Sequence, residues 1–98
     1  MNEFISGNEA KELIDTHNAL VVDVRSSTEF FVGSVPGALN IPLQDLANRV
    51  HELESENHII VFCRSGARST QAKTFLHSLG FSKVSNGGSF NNMLSCFD

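Results

Sequence analysis

Cysteine is scarce in this chain, with two residues in 98. Small disulfide scaffolds carry four or more, so no covalent framework is available, and reduced thiols on a packed core are expected. Long apolar runs are also missing, since no stretch approaches the roughly 20 residues that span a bilayer. The amino-terminal run Met1-Asn2-Glu3-Phe4-Ile5-Ser6-Gly7 has no basic segment ahead of an apolar core and no small-residue cleavage site. A cytoplasmic location is the default expectation, with no membrane partner. Positive charge is not in excess either: the formal net charge is -4, so no broad field gathers nucleic acid, and any anion site must be built locally. Low-complexity tracts and internal repeats are absent.

What is present suits one packed domain, residues 1–98, expected to be a monomer. Hydrophobic residues make up 41% and charged residues 18%, a balance that disordered chains do not reach. Ser6 followed by Glu9 is a capping box ahead of Ala10, Leu13 and Ile14, which predicts a helix over Asn8 to His17. Leu20-Val21-Val22-Asp23-Val24 reads as a strand buried on both faces. Ser26 and Glu29 repeat the box over a short helix that Gly33 can end, and Pro36-Gly37 marks a turn. Ala38 to Ile41 is a brief strand. From Pro42, the stripe Leu43, Leu46, Ala47, Val50 and Leu53 predicts a second longer helix.

Ile59-Ile60-Val61-Phe62 is the most strand-like run, and it leads straight into Cys63. Ala72, Phe75, Leu76 and Leu79 predict a third helix stopped by Gly80. A final strand is expected over Phe81 to Ser85, with Gly87-Gly88 as a turn and Phe90, Met93 and Leu94 as a last helical turn or two. Alternating strands and helices imply an α/β domain, with a mainly parallel central sheet covered on both faces.

The chemistry concentrates in Cys63-Arg64-Ser65-Gly66-Ala67-Arg68-Ser69, between a buried strand and a helix. Ligands of open α/β sheets bind at the carboxyl ends of strands, and a helix amino terminus there offers unpaired N–H groups to an anion. Such settings lower a cysteine pKa from about 8.5 into the range of roughly 3.5 to 7.5, and Arg64 and Arg68 add positive charge. Gly66 lets the backbone curl close to a bound group. A free cysteine is commonly a small core residue, but core packing alone has no need of two arginines and a glycine at this junction. His17, His51, His58 and His77 have no zinc spacing and read as surface residues.

The chain resembles the single-domain rhodanese family over nearly its whole length. The matching segments are Val21 to Arg25 with Glu29-Phe30, Val35-Pro36-Gly37-Ala38-Leu39-Asn40-Ile41-Pro42, the loop Cys63 to Arg68, and Gly80-Phe81 followed by Gly87-Gly88. The resemblance implies a three-layer rhodanese-like fold with Cys63 as the sulfur-carrying catalytic residue. It implies that the backbone of Arg64, Ser65, Gly66, Ala67 and Arg68 wraps a persulfide, formed from a small anionic donor such as thiosulfate and passed to cyanide, a thiol or a protein acceptor. No cofactor and no metal are implied. A noncatalytic or sulfur-carrier module is the rival from another class, and an arsenate reductase a weaker enzymatic one. Phosphatases resembling this fold place one residue more between cysteine and arginine than the four found here, and Ser69 stands where their arginine is needed.

Several residues carry two readings. Asp23 and Arg25 look like structural partners at a strand end, and Arg68 either binds substrate anions or fastens the loop. Ser34 replaces a histidine common in the family, a departure that bears on a local hydrogen bond. The tryptophan often seen after the paired glycines is missing, with Phe90 or Met93 expected to fill its space. Cys96 is more often incidental than a resolving thiol.

Overall fold

The computed structural model describes residues 3–97. Helix α1 (Gly7–His17) starts on its predicted box: Ser6 Oγ accepts from the Glu9 amide at 3.1 Å, and Glu9 Oε1 accepts from the Ser6 amide at 2.8 Å. Asn18 ends it in the left-handed region, at φ 52°. Helix α2 (Ser27–Val32) repeats the device, with Ser26 accepting from the Glu29 amide and Glu29 accepting from the Ser26 amide. Reciprocal capping satisfies amides that the first turn of a helix leaves unpaired.

Four parallel strands, β1 (Leu20–Asp23), β2 (Leu39–Asn40), β3 (Ile59–Cys63) and β4 (Val84–Ser89), lie in the order β2-β1-β3-β4. Side chains alternate across a strand, so Ile59, Val61 and Cys63 enter one core while Ile60 and Phe62 enter the other. The first core includes Leu46 of α3 (Leu46–Arg49) and Ala72 and Leu76 of α4 (Ala67–Ser78). The second includes Ala10 of α1 and Met93 of α5 (Phe90–Ser95). Helices thus cover both faces of a parallel sheet, the expected α/β layering. Among the described residues no helix is long and apolar enough to cross a membrane.

Two expected elements differ. The helix after Pro42 is broken: α3 is a single turn, flanked by 3-10 turns at Leu43–Asp45 and Val50–Glu52. Neither Pro42 nor Asp45 supplies a side-chain cap. Tighter bonds close the ends instead, from Asp45 N–H to the Pro42 carbonyl at 2.8 Å and from Leu53 N–H to the Val50 carbonyl at 3.0 Å. Of the apolar stripe, Leu46 and Leu53 are buried and Leu43 and Val50 pack against the same core, whereas Ala47 is exposed. The second difference is that Gly87 and Gly88 continue β4 rather than turning away from it. A Cβ on Gly87 would sit 2.4 Å from Met93 Sδ and 3.1 Å from Ile60 Cγ2, so the bare backbone is what lets Met93 lie flat on the strand. The register shift beside Val61 and Phe62 passes over Gly87, and Gly88, at φ +75°, resumes the pairing opposite Phe62.

The chain lays β2 on one side of β1 and then crosses to build β3 and β4 on the other. The carboxyl ends of β1 and β3 therefore flank a topological switch point, where open α/β sheets hold their ligands. At the end of β1, Asp23 and Arg25 pair inside the protein, 0% and 5% exposed, with Arg25 Nη2 at 2.7 Å from Asp23 Oδ2. Arg25 also donates to the Gly33 carbonyl at 2.6 Å and lies over the Phe90 ring, 4.4 Å from its centre. Asp23 accepts from the Ser34 hydroxyl at 2.7 Å, so the residue that departs from the family histidine still makes a hydrogen bond here. Asp23→Ala leaves the Arg25 cation buried without its partner. We expect a loss of ~3–5 kcal/mol, read as a shift in the urea midpoint with an unchanged slope.

Candidate active site

Strand β3 delivers Cys63 as its last residue, and Gly66 turns the chain at φ 111° so that α4 starts over the sulfur. Only glycine holds such a conformation without strain. Helix α4 has no side-chain cap from Gly66. The sulfur of Cys63 takes that part: Sγ accepts from the Gly66 amide at 3.0 Å and from the Ser69 amide at 3.4 Å, the latter being the third helical residue, whose N–H a cap normally receives. The thiol also faces Ser69 Oγ at 3.7 Å.

Cys63 is 1% exposed. Burial works against its ionisation, but the amide and hydroxyl of Ser69 and the amides of Gly66 and Ser65 outweigh it, and the thiol is held below the ordinary cysteine value. The geometry favours a thiolate kept at the amino terminus of a helix, under a cover of main-chain donors. That arrangement supports nucleophilic attack without a general base.

The two arginines of the loop have separate fates. Arg64 is exposed, and its side chain has no ion-pair or hydrogen-bond partner among the described residues. Arg68 is engaged: Nη1 donates to Glu29 Oε1 at 2.8 Å and Nη2 to Glu29 Oε2 at 3.1 Å. The fork holds the Glu29 carboxyl at about 2, against the desolvation that partly offsets it, so the pair stays charged through the neutral range. Of the two roles open for Arg68, fastening the loop is the one the contacts express.

Sequence reasoning centred the amide donors on Arg64 to Arg68. The amides that close on sulfur belong to Gly66 and Ser69, with Ser65 close enough to favour the ionised form. Ala67, which opens α4, is exposed, and the Arg68 side chain that follows it turns to Glu29. Ser69 was legible in principle, as the third residue of a helix starting after Gly66. Other supports carry no sequence signal. Asn86, 2% exposed, donates to Thr70 Oγ1 at 3.0 Å while its Oδ1 accepts from the Gly88 amide at 2.9 Å, which ties β4 to the first turn of α4. The Phe4 ring lies so close to Gly66 and Gly88 that a Cβ on either would collide with it. Cys96 is buried in the core on the opposite face of the sheet from Cys63, which gives no support to a resolving role. His58 precedes β3 and lies tilted against His17, ring centres 4.4 Å apart, at the end of the strand away from the loop. Among the described residues no group of three or more His, Cys, Asp or Glu is placed to hold a metal ion.

Comparison with known proteins agrees with this architecture. A curated sulfurtransferase of Allochromatium vinosum is 36% identical over 86 residues, covering 88% of this chain and 80% of its own length. The human thiosulfate:glutathione sulfurtransferase is 33% identical over 97 residues, covering 84% of each protein. The solved structure of the human single-domain sulfurtransferase TSTD1 superposes with a TM-score of 0.81 at 30% identity, covering 94% of this chain and 95% of that one. The profile of the rhodanese-like domain matches residues 6–93, and with its thiol loop at the switch point of a parallel sheet the chain belongs to that family of sulfurtransferases.

Proposed function

We propose that the protein moves sulfane sulfur from thiosulfate, or a similar small anionic donor, through a persulfide on Cys63 to a thiol acceptor, free or on a protein, with cyanide as a laboratory substitute. The observation that carries this reading is the pair of amides, from Gly66 and Ser69, directed at a thiol held below its ordinary pKa. The human relative is named for thiosulfate and glutathione, which is consistent with both halves of the reaction.

The steps balance without a cofactor. The Cys63 thiolate attacks the outer sulfur of thiosulfate, the S–S bond of the donor breaks, and sulfite leaves with the electron pair. An acceptor thiolate then attacks the terminal sulfur of the persulfide and restores the Cys63 thiolate. Burial of Sγ suits this relay: a bound sulfur extends the reactive atom by about 2.05 Å, one S–S bond, toward the acceptor. In the persulfide state the amides of the loop Arg64 to Arg68, with Ser69, serve the added sulfur as anion donors, and Arg64 receives the sulfonate end of the donor. Four residues between Cys63 and Arg68 make a cradle suited to one sulfur atom, and less suited to the tetrahedral oxyanions of phosphatases and arsenate reductases. A carrier role differs only in the acceptor, since the loop chemistry is the same.

Three outcomes are expected. Incubation with thiosulfate, followed by intact-mass measurement, adds one sulfur to the wild type and none to Cys63→Ser; a wild type that gains no sulfur from any sulfane donor rules the reading out. Alkylation of Cys63 by iodoacetamide rises with pH about a midpoint below that of a free thiol, because the folded state lowers the pKa, and the rate of sulfur uptake follows the same curve. Arg64→Ala raises KM for thiosulfate about tenfold while kcat changes little, and the difference narrows at high salt.

A further inference from the structure

Glu29 is the side chain that joins the catalytic loop to the helix on the other side of the crevice. Its Oε1 accepts from the Ser26 amide at 3.1 Å, the Ser26 hydroxyl at 3.0 Å and Arg68 Nη1 at 2.8 Å, and its Oε2 accepts from Arg68 Nη2 at 3.1 Å. Capping α2 requires only one acceptor oxygen at this third position, and glutamine serves there as well as glutamate. The two-toothed fork to Arg68, 39 residues along the chain, goes beyond that need. Arg68 lies between Gly66 and Ser69, the residues whose amides hold Sγ, so an anchored Arg68 fixes the turn that aims both donors. The same carboxylate also neutralises Arg68, which leaves Arg64 as the uncompensated cation of the loop.

We infer that Glu29 is a positioning residue for the Cys63 thiol: its carboxylate clamps Arg68, holds the first turn of α4 on the sulfur, and confines the positive charge offered to the donor to Arg64. This deepens the sulfur-transfer reading and rests on it. The clamp is also a direct link between the end of β1, which feeds α2, and the end of β3, which carries the thiol.

Glu29→Gln keeps the helix cap and removes the charge. We expect kcat for sulfur transfer to fall about tenfold as the donors lose their alignment. KM for thiosulfate should fall about threefold as the Arg68 charge is released toward the anion. Alkylation of Cys63 by iodoacetamide, followed at a fixed pH below its midpoint, should slow about twofold as the amides that favour the thiolate lose their aim. In an Arg68→Gln background, Glu29→Gln should bring no further loss of kcat, because the two residues act as one unit. Arg68→Lys, which keeps the charge and loses the fork, should lower kcat with KM unchanged. Wild-type kcat, KM and alkylation in Glu29→Gln, with only the melting temperature reduced, would reduce Glu29 to a helix cap and overturn the inference. An equal kcat loss in the presence and absence of Arg68 would overturn it too. Alkylation needs no sulfur donor, so if the variants shift it as described while the wild type takes up no sulfur, the clamp stands and the sulfur-transfer reading falls alone.

Discussion

A helix whose amino terminus is capped by a sulfur atom, in place of an oxygen, is the constraint from which the rest of the site follows. The Gly66 and Ser69 amides need an acceptor, α4 has no oxygen cap of its own, and Cys63 Sγ is the group that β3 brings beneath them. Unpaired amides at a buried helix end are unfavourable, and a neutral thiol is a weak acceptor. The arrangement is therefore better satisfied by the thiolate than by the thiol, and the stability of the helix end and the ionisation of Cys63 become one interaction. That coupling explains why a residue only 1% exposed is nevertheless held below the ordinary cysteine pKa.

Holding the turn in place falls to contacts from three directions. Arg68 is fastened to Glu29 on α2, Thr70 to Asn86 on β4, and Gly66 lies under the ring of Phe4. The Gly66 carbonyl accepts from the Ser69 and Thr70 hydroxyls at 3.1 and 2.7 Å, which closes the turn from within. Charge is ordered in the same way. Asp23 and Arg25 form a buried pair beneath the crevice, Glu29 and Arg68 a half-buried pair at its side, and Arg64 stands outside both. A chain with net charge -4 thus keeps one exposed, unpaired cation on the loop.

Local chemistry made much of this legible in the residues alone. Both capping boxes, the helices they open, the buried run of β3, the cysteine at its end and the glycine of the loop follow from side-chain types at short spacing, because caps, periodicity and tight turns depend on neighbours within about four residues. The broken helix at Leu43–Glu52 and the glycines kept inside β4 did not follow. The first depends on caps that Pro42 and Asp45 fail to make, and the second on Met93 and Ile60 closing over a bare backbone.

The sequence by itself determined the fold class and the cysteine at the strand-to-helix junction, since strand and helix alternation and the loop from Cys63 to Arg68 are written in consecutive residues. Tertiary structure decided the use of the arginines, the choice of amides and the place of Cys96. Glu29 meets Arg68, and Asn86 meets Thr70, only once the crossover from β2 to β3 and the pairing of β4 bring distant segments together. Contacts of that kind are set by the packing of layers, which no local spacing encodes.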